Sequence, residues 1–508
     1  MASSSHNDAA NTGPDACVPV AGVEAGPAAG KKRLRIWIGV CALVGVALFV
    51  SQLLEIPSRS AFRGYDNTFN YLWLRSAMVD HDWDFRNDLA QCNTLIPAYR
   101  ASALALPPTA TGHIPNKYGI GWAVVTTPFY FLADGVVALG RVLGWWSLER
   151  DGFNAVYQVC IQFGHAALAF AALVLAARTI ARWIGDRDAA LAGVVLVWAA
   201  SPLLYYQTVD LSMNHGVAFF AVTLLTSALT RARETPDARW PWLLAGAGWG
   251  LAVITRFQLG VFGLLAAWTW YECSAGNFSR ISAAVPCDES REPPRTAIAP
   301  TGLPLVVDVQ RGGFSSRRIS ASAALRFVFG AAPFLLLQSF AWHIVYGKWL
   351  VFSYGAEGES FHWGKPEWWN SLFSPWHGLF YWHPFLFVAT AGILAWAWQQ
   401  RRRAAVLAVI FFATVYLNAA WWCWWFASSF GNRSYDAVLL LLMGGTAWLL
   451  ARARGRGRSL IWCAAIVAGG WNFYVVLLYR TGAISRSAPV TWAQMLDAAH
   501  RLPEVLRF

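Results

Sequence analysis

Apolar runs close to the roughly 20 residues that carry a helix across a bilayer recur along most of this chain. They fall at Ile36–Leu54, Val156–Ala177, Ala189–Tyr206, Met213–Leu229, Trp240–Thr255, Phe257–Tyr271, Phe327–Tyr346, Leu379–Trp398, Ala404–Ala420, Ala437–Leu450 and Leu460–Tyr479. Read as helices, they predict an all-α polytopic membrane protein with about eleven spans. Between the first run and Val156 the pattern changes. Asp66–Asp80 reads as an amphipathic helix that offers Phe69, Leu72, Trp73 and Leu74 to the membrane interface. Gly121–Leu132 is apolar but short, contains Pro128 and is followed by Asp134, so a re-entrant or surface helix is expected there.

The placement of charge orients these elements. With the N-terminus in the cytoplasm, the cytoplasmic connections are Arg178–Asp188, Arg231–Arg239, Glu272–Ser322, Gln399–Arg403 and Ala451–Arg458. Every one of them is arginine-bearing, as the positive-inside bias requires. Counting Gly121–Leu132 as a span would invert all of this. The reading divides the chain into a cytoplasmic tail (1–35), a membrane module (36–479) and an extracytoplasmic C-terminal tail (480–508). A large first outer loop (55–155) and a cytoplasmic insert (273–322) interrupt the module. Met1–Gly30 is rich in Ala, Gly, Ser and Pro without periodicity and reads as disordered. Lys31-Lys-Arg-Leu-Arg35 precedes the first run, and no small-residue cleavage site follows it, so an uncleaved span is expected.

Composition agrees. Of 508 residues, 56% are hydrophobic and 30 are Trp, and only 13% are charged, against about 25% in soluble chains. The net charge of +12 sits in short clusters between apolar runs, which fits a membrane orientation signal and not a nucleic-acid surface. The eight cysteines show neither a CxxC pair nor zinc spacing and read as buried thiols. No P-loop, GxGxxG, nucleophile elbow or HExxH stands in a meaningful context. Any chemistry must therefore start from an already activated substrate.

In so charge-poor a chain, polar groups at the outer ends of spans attract notice. Asp66, in Arg63-Gly-Tyr65-Asp66-Asn, is either a helix N-cap or a general base. Asp210, in Ser201-Pro-Leu-Leu-Tyr-Tyr-Gln-Thr-Val-Asp210, recurs at a second span end and is open to the same two readings. His215, one turn into the next helix, reads as packed and hydrogen-bonded. Three outer cations, Lys117, Arg256 and Arg433, run against the usual charge bias. They either bind phosphate, for which Arg and Lys are well suited, or snorkel to lipid headgroups. The aromatic stretches Phe361-His362-Trp363, Trp376-His377 and Trp421-Trp-Cys-Trp-Trp425 suit an interfacial belt, and some of their rings suit a sugar-stacking cleft. His362, His377 and His383 lack metal-ligand spacing.

Taken in order, these features resemble the GT-C superfamily of integral-membrane glycosyltransferases, in particular its protein-mannosyltransferase and aminoarabinose-transferase branch. The likeness rests on the N-in first span, the outer loop that opens with Asp66, and the second acid after Ser201-Pro-Leu-Leu-Tyr-Tyr206. Asn116-Lys-Tyr-Gly-Ile-Gly-Trp-Ala-Val-Val-Thr-Thr-Pro-Phe-Tyr130 is similar to that branch's Lys-Tyr-Pro-x-Gly…Pro-Phe segment. Leu372-Phe-Ser-Pro-Trp-His-Gly and Ser429-Phe-Gly-Asn-Arg433 add to it. Gly119 stands where the branch has Pro, and Tyr65-Asp66-Asn replaces its Asp-Glu pair. The resemblance implies juxtamembrane helices in the first outer loop and transfer of a sugar from a polyprenyl-phosphate carrier to a glycan, lipid or protein acceptor. Transfer would invert the anomeric carbon on the outer face of a bacterial inner membrane. It also implies Asp66 as base, Asp210 as its support, and Lys117, Arg256 and Arg433 on the donor phosphate. Tyr65, His362, Trp363, Trp376 and His377 would then line the acceptor or sugar cleft. No cofactor is required, and a divalent metal is optional. The alternatives from other classes are a transporter or flippase of lipid-linked saccharides, and a polymerase or ligase of them.

Overall fold

The computed structural model describes residues 27–56, 58–275, 316–400 and 404–501. The leader before residue 27, most of the 273–322 insert, the Arg401–Arg403 triplet and the end of the C-terminal tail from 502 lie outside the described residues. Among the described residues the chain is helical and contains no strand; a single isolated bridge joins Phe361 and Trp421.

Helix α1 (Pro27–Glu55) leads into a compact cluster made of α2 (Tyr65–Arg75), α3 (Phe85–Gln91) and α4 (Pro97–Leu104). Next come α5 (Gly121–Val142), α6 (Ala155–Ile184), α7 (Arg187–Ala199), the single turn α8 (Leu203–Tyr206), α9 (His215–Glu234) and α10 (Arg239–Thr255). The chain continues through α11 (Gly263–Ser274), α12 (Ser316–Tyr346), the short α13 (Trp368–Phe373) and α14 (Leu379–Trp382), and α15 (Phe385–Gln399). It closes with α16 (Ala405–Ala420), α17 (Leu439–Arg452), α18 (Gly455–Thr481) and α19 (Trp492–Asp497). Seven helices are long and apolar enough to cross a membrane: α1, α5, α6, α9, α12, α17 with the turn before it (Arg433–Arg452), and α18. Every run expected to span holds a helix, but α7, α10, α11, α15 and α16 have only 12 to 17 residues each. At 1.5 Å per residue, the longest of these reaches about 26 Å, short of a 30 Å hydrocarbon core.

Two of these shortfalls have a proline as their cause. Ala189–Tyr206 does not form one helix: the chain breaks at Ala200-Ser-Pro202 into α7 and α8. Leu379–Trp398 likewise divides before Pro384 into α14 and α15. A proline ring removes a donor and collides with the preceding turn. Pro128 behaves differently. The expected short helix is a continuous one of 22 residues that runs through Pro128 and past Asp134 to Val142. Its Trp122 stacks on His165, while Asp134 accepts the Tyr157 hydroxyl at 2.6 Å, so α5 runs back towards the start of α6. The connection after it presents the Asp151 and Gly152 carbonyls to Arg75 and Tyr71 of α2. The start of α5 meets the end of α10, and the connection after it meets α2.

The bundle has two distinct ends. At one, Arg182 pairs with Glu234, Lys31 with Asp188, Arg233 with Glu272, and Arg452 with Gln399. This end collects the C-terminal ends of α6, α9, α11, α15 and α17 with the N-terminal ends of α1 and α7. At the other, Gln158 takes the Ala61 amide, Arg480 pairs with Glu55, and Thr109 and Thr111 donate to the Val345 carbonyl. All the candidate polar residues gather there.

The acid-rich stretch after α2 serves structure. Arg75, nearly inaccessible to solvent, is held by Asp80, by Asp88 (2.6 Å) and by Gln91 (3.0 Å). Asp82 accepts from Ser76, and Asp84 caps α3. Phe69, Leu72, Trp73 and Leu74 do not lie on a lipid surface as their pattern suggested; they are buried within the protein at no more than 2% exposure. Helix α5 and the Asn116–Tyr118 segment cover the face that would have met lipid: Asn116 donates to the Phe69 carbonyl and Trp73 to that of Tyr118.

Candidate functional site

Four segments far apart in sequence bring the site together. The first turn of α2 supplies Asp66. The loop before α5 supplies Lys117 and Tyr118, and its neighbours are pinned by the bonds just described and by Ser353, which donates to the Lys117 carbonyl at 2.7 Å. The residue that ends α10, Arg256, and the first residue of the turn before α17, Arg433, complete the set. Asp66, Lys117, Arg256 and Arg433 all line one cavity of about 840 Å³. Its other walls are mainly apolar and aromatic, with Phe257 beside Arg256, Trp342 and Tyr354 from the α12 end, and Trp421 and Phe426 from the loop after α16.

Asp66 is not a cap. Gly64 holds the N-cap position and makes no side-chain bond, so the Asp66 carboxylate is free to face its own partners. One oxygen accepts the Tyr118 hydroxyl and the other the Arg433 guanidinium at 2.8 Å. Burial works to raise this carboxyl. Arg433, the Tyr118 bond and Lys117 together outweigh burial and hold it below the usual carboxylate range. Asp210 does not line the cavity. It accepts from Asn67 at 2.8 Å and so braces the residue next to Asp66, while Asn214 occupies the cap position of α9. Burial leaves the Asp210 carboxyl raised.

None of the three cations stands free. Arg433 holds Asp66. Arg256 donates to His215 at 2.9 Å and lies 3.6 Å from Asp436, which also contacts His215. Lys117 is clamped between Glu357 (2.7 Å) and Glu359 (2.8 Å), with the rings of Tyr65, Tyr118 and Tyr354 5.6 to 5.9 Å away. Burial would lower the ammonium, but the two glutamates more than offset it and keep it charged. Three cations and the two carboxylates Asp66 and Glu359 thus line the cavity, with Glu357 and Asp436 behind them.

The aromatic positions divide. Tyr65 reaches the site through the Lys117 cage. His362, Trp363, Trp376 and His377 do not line the cavity. Trp363 stacks outside Phe361 at 4.4 Å, and the His362 amide donates to the Ala420 carbonyl. Trp376 stacks on Trp425 at 4.3 Å, and buried His377 bonds the Trp425 carbonyl through Nδ1. Their work is to hold the loop Trp421–Asn432, whose Phe426 and Ala427 sit in the left-handed region at φ 57° and 54°. Such strain persists only where surrounding contacts impose it. His215 is packed and bonded as read, and it also lines the cavity.

Sequence reasoning missed Tyr118, Glu357, Glu359 and Asp436. Tyr118 adjoins Lys117, and two glutamates at i and i+2 in a charge-poor chain were a visible signal. Asp436 lies three residues after Arg433, on the same side of a 3₁₀ turn. Among the described residues, no three His, Cys, Asp or Glu side chains gather so as to hold a metal ion. No protein-family model, curated protein or solved structure matches this chain.

Proposed function

We propose that this cavity is the active site of a multi-pass membrane glycosyltransferase, of the GT-C kind, that takes a sugar from a polyprenyl-phosphate carrier. The observation that carries the reading is the meeting of Asp66, Arg433, Arg256 and Lys117 around one aromatic-walled hollow. The carrier's chain approaches through lipid, and its phosphate lies between Arg256 and Arg433. An acceptor hydroxyl attacks the anomeric carbon from the opposite face and inverts it. Negative charge grows on the departing phosphate, so fixed guanidinium groups stabilise the transition state more than the ground state. Aromatic walls suit the apolar faces of a sugar and the first isoprene units. Lys117, satisfied by two glutamates, acts mainly on the shape of the site and less on the phosphate. The protein sits in a bacterial inner membrane with its N-terminus cytoplasmic and the cavity outside. The arginine clusters at the opposite end of the bundle support that orientation.

The test is direct. Purified protein in nanodiscs is incubated with undecaprenyl-phosphate sugars labelled in the sugar, together with cell-envelope extract as acceptor. Transfer, or slow release of free sugar with inverted anomeric configuration, supports the reading. Saturable binding of every donor without turnover, combined with transbilayer movement of label in sealed vesicles, would replace it with a transporter.

A further inference from the structure

The transferase reading leaves open which group takes the acceptor's proton, and the geometry argues against the obvious one. Both oxygens of Asp66 are engaged, one by a hydroxyl and one by a guanidinium. Protonating Asp66 would discharge the ion pair with Arg433, and each oxygen already carries a donor. The other carboxylate that lines the cavity, Glu359, is differently placed. Its Oε1 accepts from Lys117 at 2.8 Å, and among the described residues its Oε2 accepts from nothing. Its side chain is 16% exposed, enough for a substrate hydroxyl to reach it. Gly358, at φ 76°, turns the chain so that Glu357 and Glu359 both converge on one ammonium, while only Glu359 lines the cavity.

Resting on the transferase reading, we propose that Glu359 is the proton acceptor, and that Asp66 is a positioning residue that acts through Arg433. In the step, the acceptor O–H gives its proton to Glu359 Oε2 as its oxygen bonds to the anomeric carbon. The bond from that carbon to the phosphate oxygen breaks, and its electron pair leaves on polyprenyl phosphate between Arg433 and Arg256. The proton then passes to solvent or to the released phosphate, and the site is restored. No oxidant or further reactant is needed. Electrostatics fit the division of labour. Burial, Glu357 and Asp66 raise the Glu359 carboxyl against the pull of Lys117, while Asp66 is held low. Two carboxylates pushed apart in this way mark separate roles, and the raised one is the better base near neutral pH.

The experiment compares Glu359→Gln, Glu359→Asp, Glu357→Gln and Asp66→Asn with wild-type protein. It uses labelled undecaprenyl-phosphate sugar for turnover and undecaprenyl phosphate for binding. Glu359→Gln should lose about 10²–10⁴-fold in kcat, the usual contribution of acid–base catalysis, and bind undecaprenyl phosphate within about twofold of wild type. Glu359→Asp should recover part of the rate. Only ionised Glu359 accepts a proton, so the wild-type rate should fall as pH drops through a range above the ordinary Glu value of about 4.3. That acid limb should vanish in Glu359→Gln and persist in Asp66→Asn, which should chiefly raise KM. Glu357→Gln controls for mere support of Lys117, since it removes the sister bond. Equal losses in Glu357→Gln and Glu359→Gln, or an acid limb lost with Asp66 and kept without Glu359, would overturn the proposal. If Glu359→Gln does not yield folded protein, Glu359→Asp decides: an unchanged rate and pH profile count against it. Absence of turnover by wild-type protein with every donor would remove the transferase reading itself, and this assignment with it.

Discussion

At the scale of single residues, the cavity depends on how its charges are paired. Arg256 is 8% exposed, donates to His215 and lines the cavity where the proposed donor phosphate would sit. A hydrogen bond to a charged group is worth about 1.5–3 kcal/mol. Arg256→Ala should therefore weaken undecaprenyl-phosphate binding by about 10- to 100-fold in calorimetric titration, and unchanged affinity would place the phosphate elsewhere. Two glycines let the chain after Lys117 press against the end of α10. A Cβ on Gly119 would come 2.0 Å from the Ile254 carbonyl oxygen, and one on Gly121 would meet the Thr255 hydroxyl at 2.3 Å and amide at 2.6 Å. This accounts for glycine at position 119: the end of α10 fills the space a side chain would need. Gly121→Ala should lower the melting temperature, consistent with overpacking costs of about 1–3 kcal/mol. Gly135→Ala, which faces open space on the same helix, should leave the melting temperature unchanged or raise it.

At the scale of elements, hydropathy located the helices because a bilayer imposes the same demand on every crossing segment. It could not set their lengths. Pro202 and Pro384 end helices that the apolar pattern carries on, whereas Pro128 lies inside a helix that the same rule would have stopped. Neighbours that re-satisfy the backbone decide between these outcomes, and neighbours are not written in a local window. The site shows the same division. Asp66, Arg256 and Arg433 were legible as charges where charge is costly. The bond from Lys117 to Glu357 spans 240 residues and leaves no local trace. Packing between α10 and α12 was equally silent. There, Gly246 meets the Phe327 carbonyl and Gly330 the Leu243 carbonyl, at distances that leave a Cβ 1.9 to 2.1 Å from oxygen. Small residues let membrane helices approach this closely. Gly246→Val should force the pair apart and cut the yield of monodisperse protein on size-exclusion chromatography, with Gly39→Val, which faces open space, as control.

At the scale of the molecule, the proposed topology makes a sharp demand. In a cysteine-free background, Gly364→Cys and Ser485→Cys, both on the cavity side, should react with a membrane-impermeant maleimide in intact cells. Ala453→Cys, in the turn between α17 and α18, should react only after the cells are opened. Labelling of Ala453→Cys from outside would invert the bundle and place the cavity in the cytoplasm.

The backbone-to-backbone seat of α10 on α12 carries one more implication. Arg256 and Phe257 follow one of those helices and Trp342 belongs to the other; the Phe257 and Trp342 rings meet at 5.4 Å, so this stretch of wall is as rigid as the contact beneath it. A bulkier occupant cannot be admitted by sliding the two rods past each other. Tolerance for size must come from the chain segments 347–361 and 421–432, which supply much of the remaining wall.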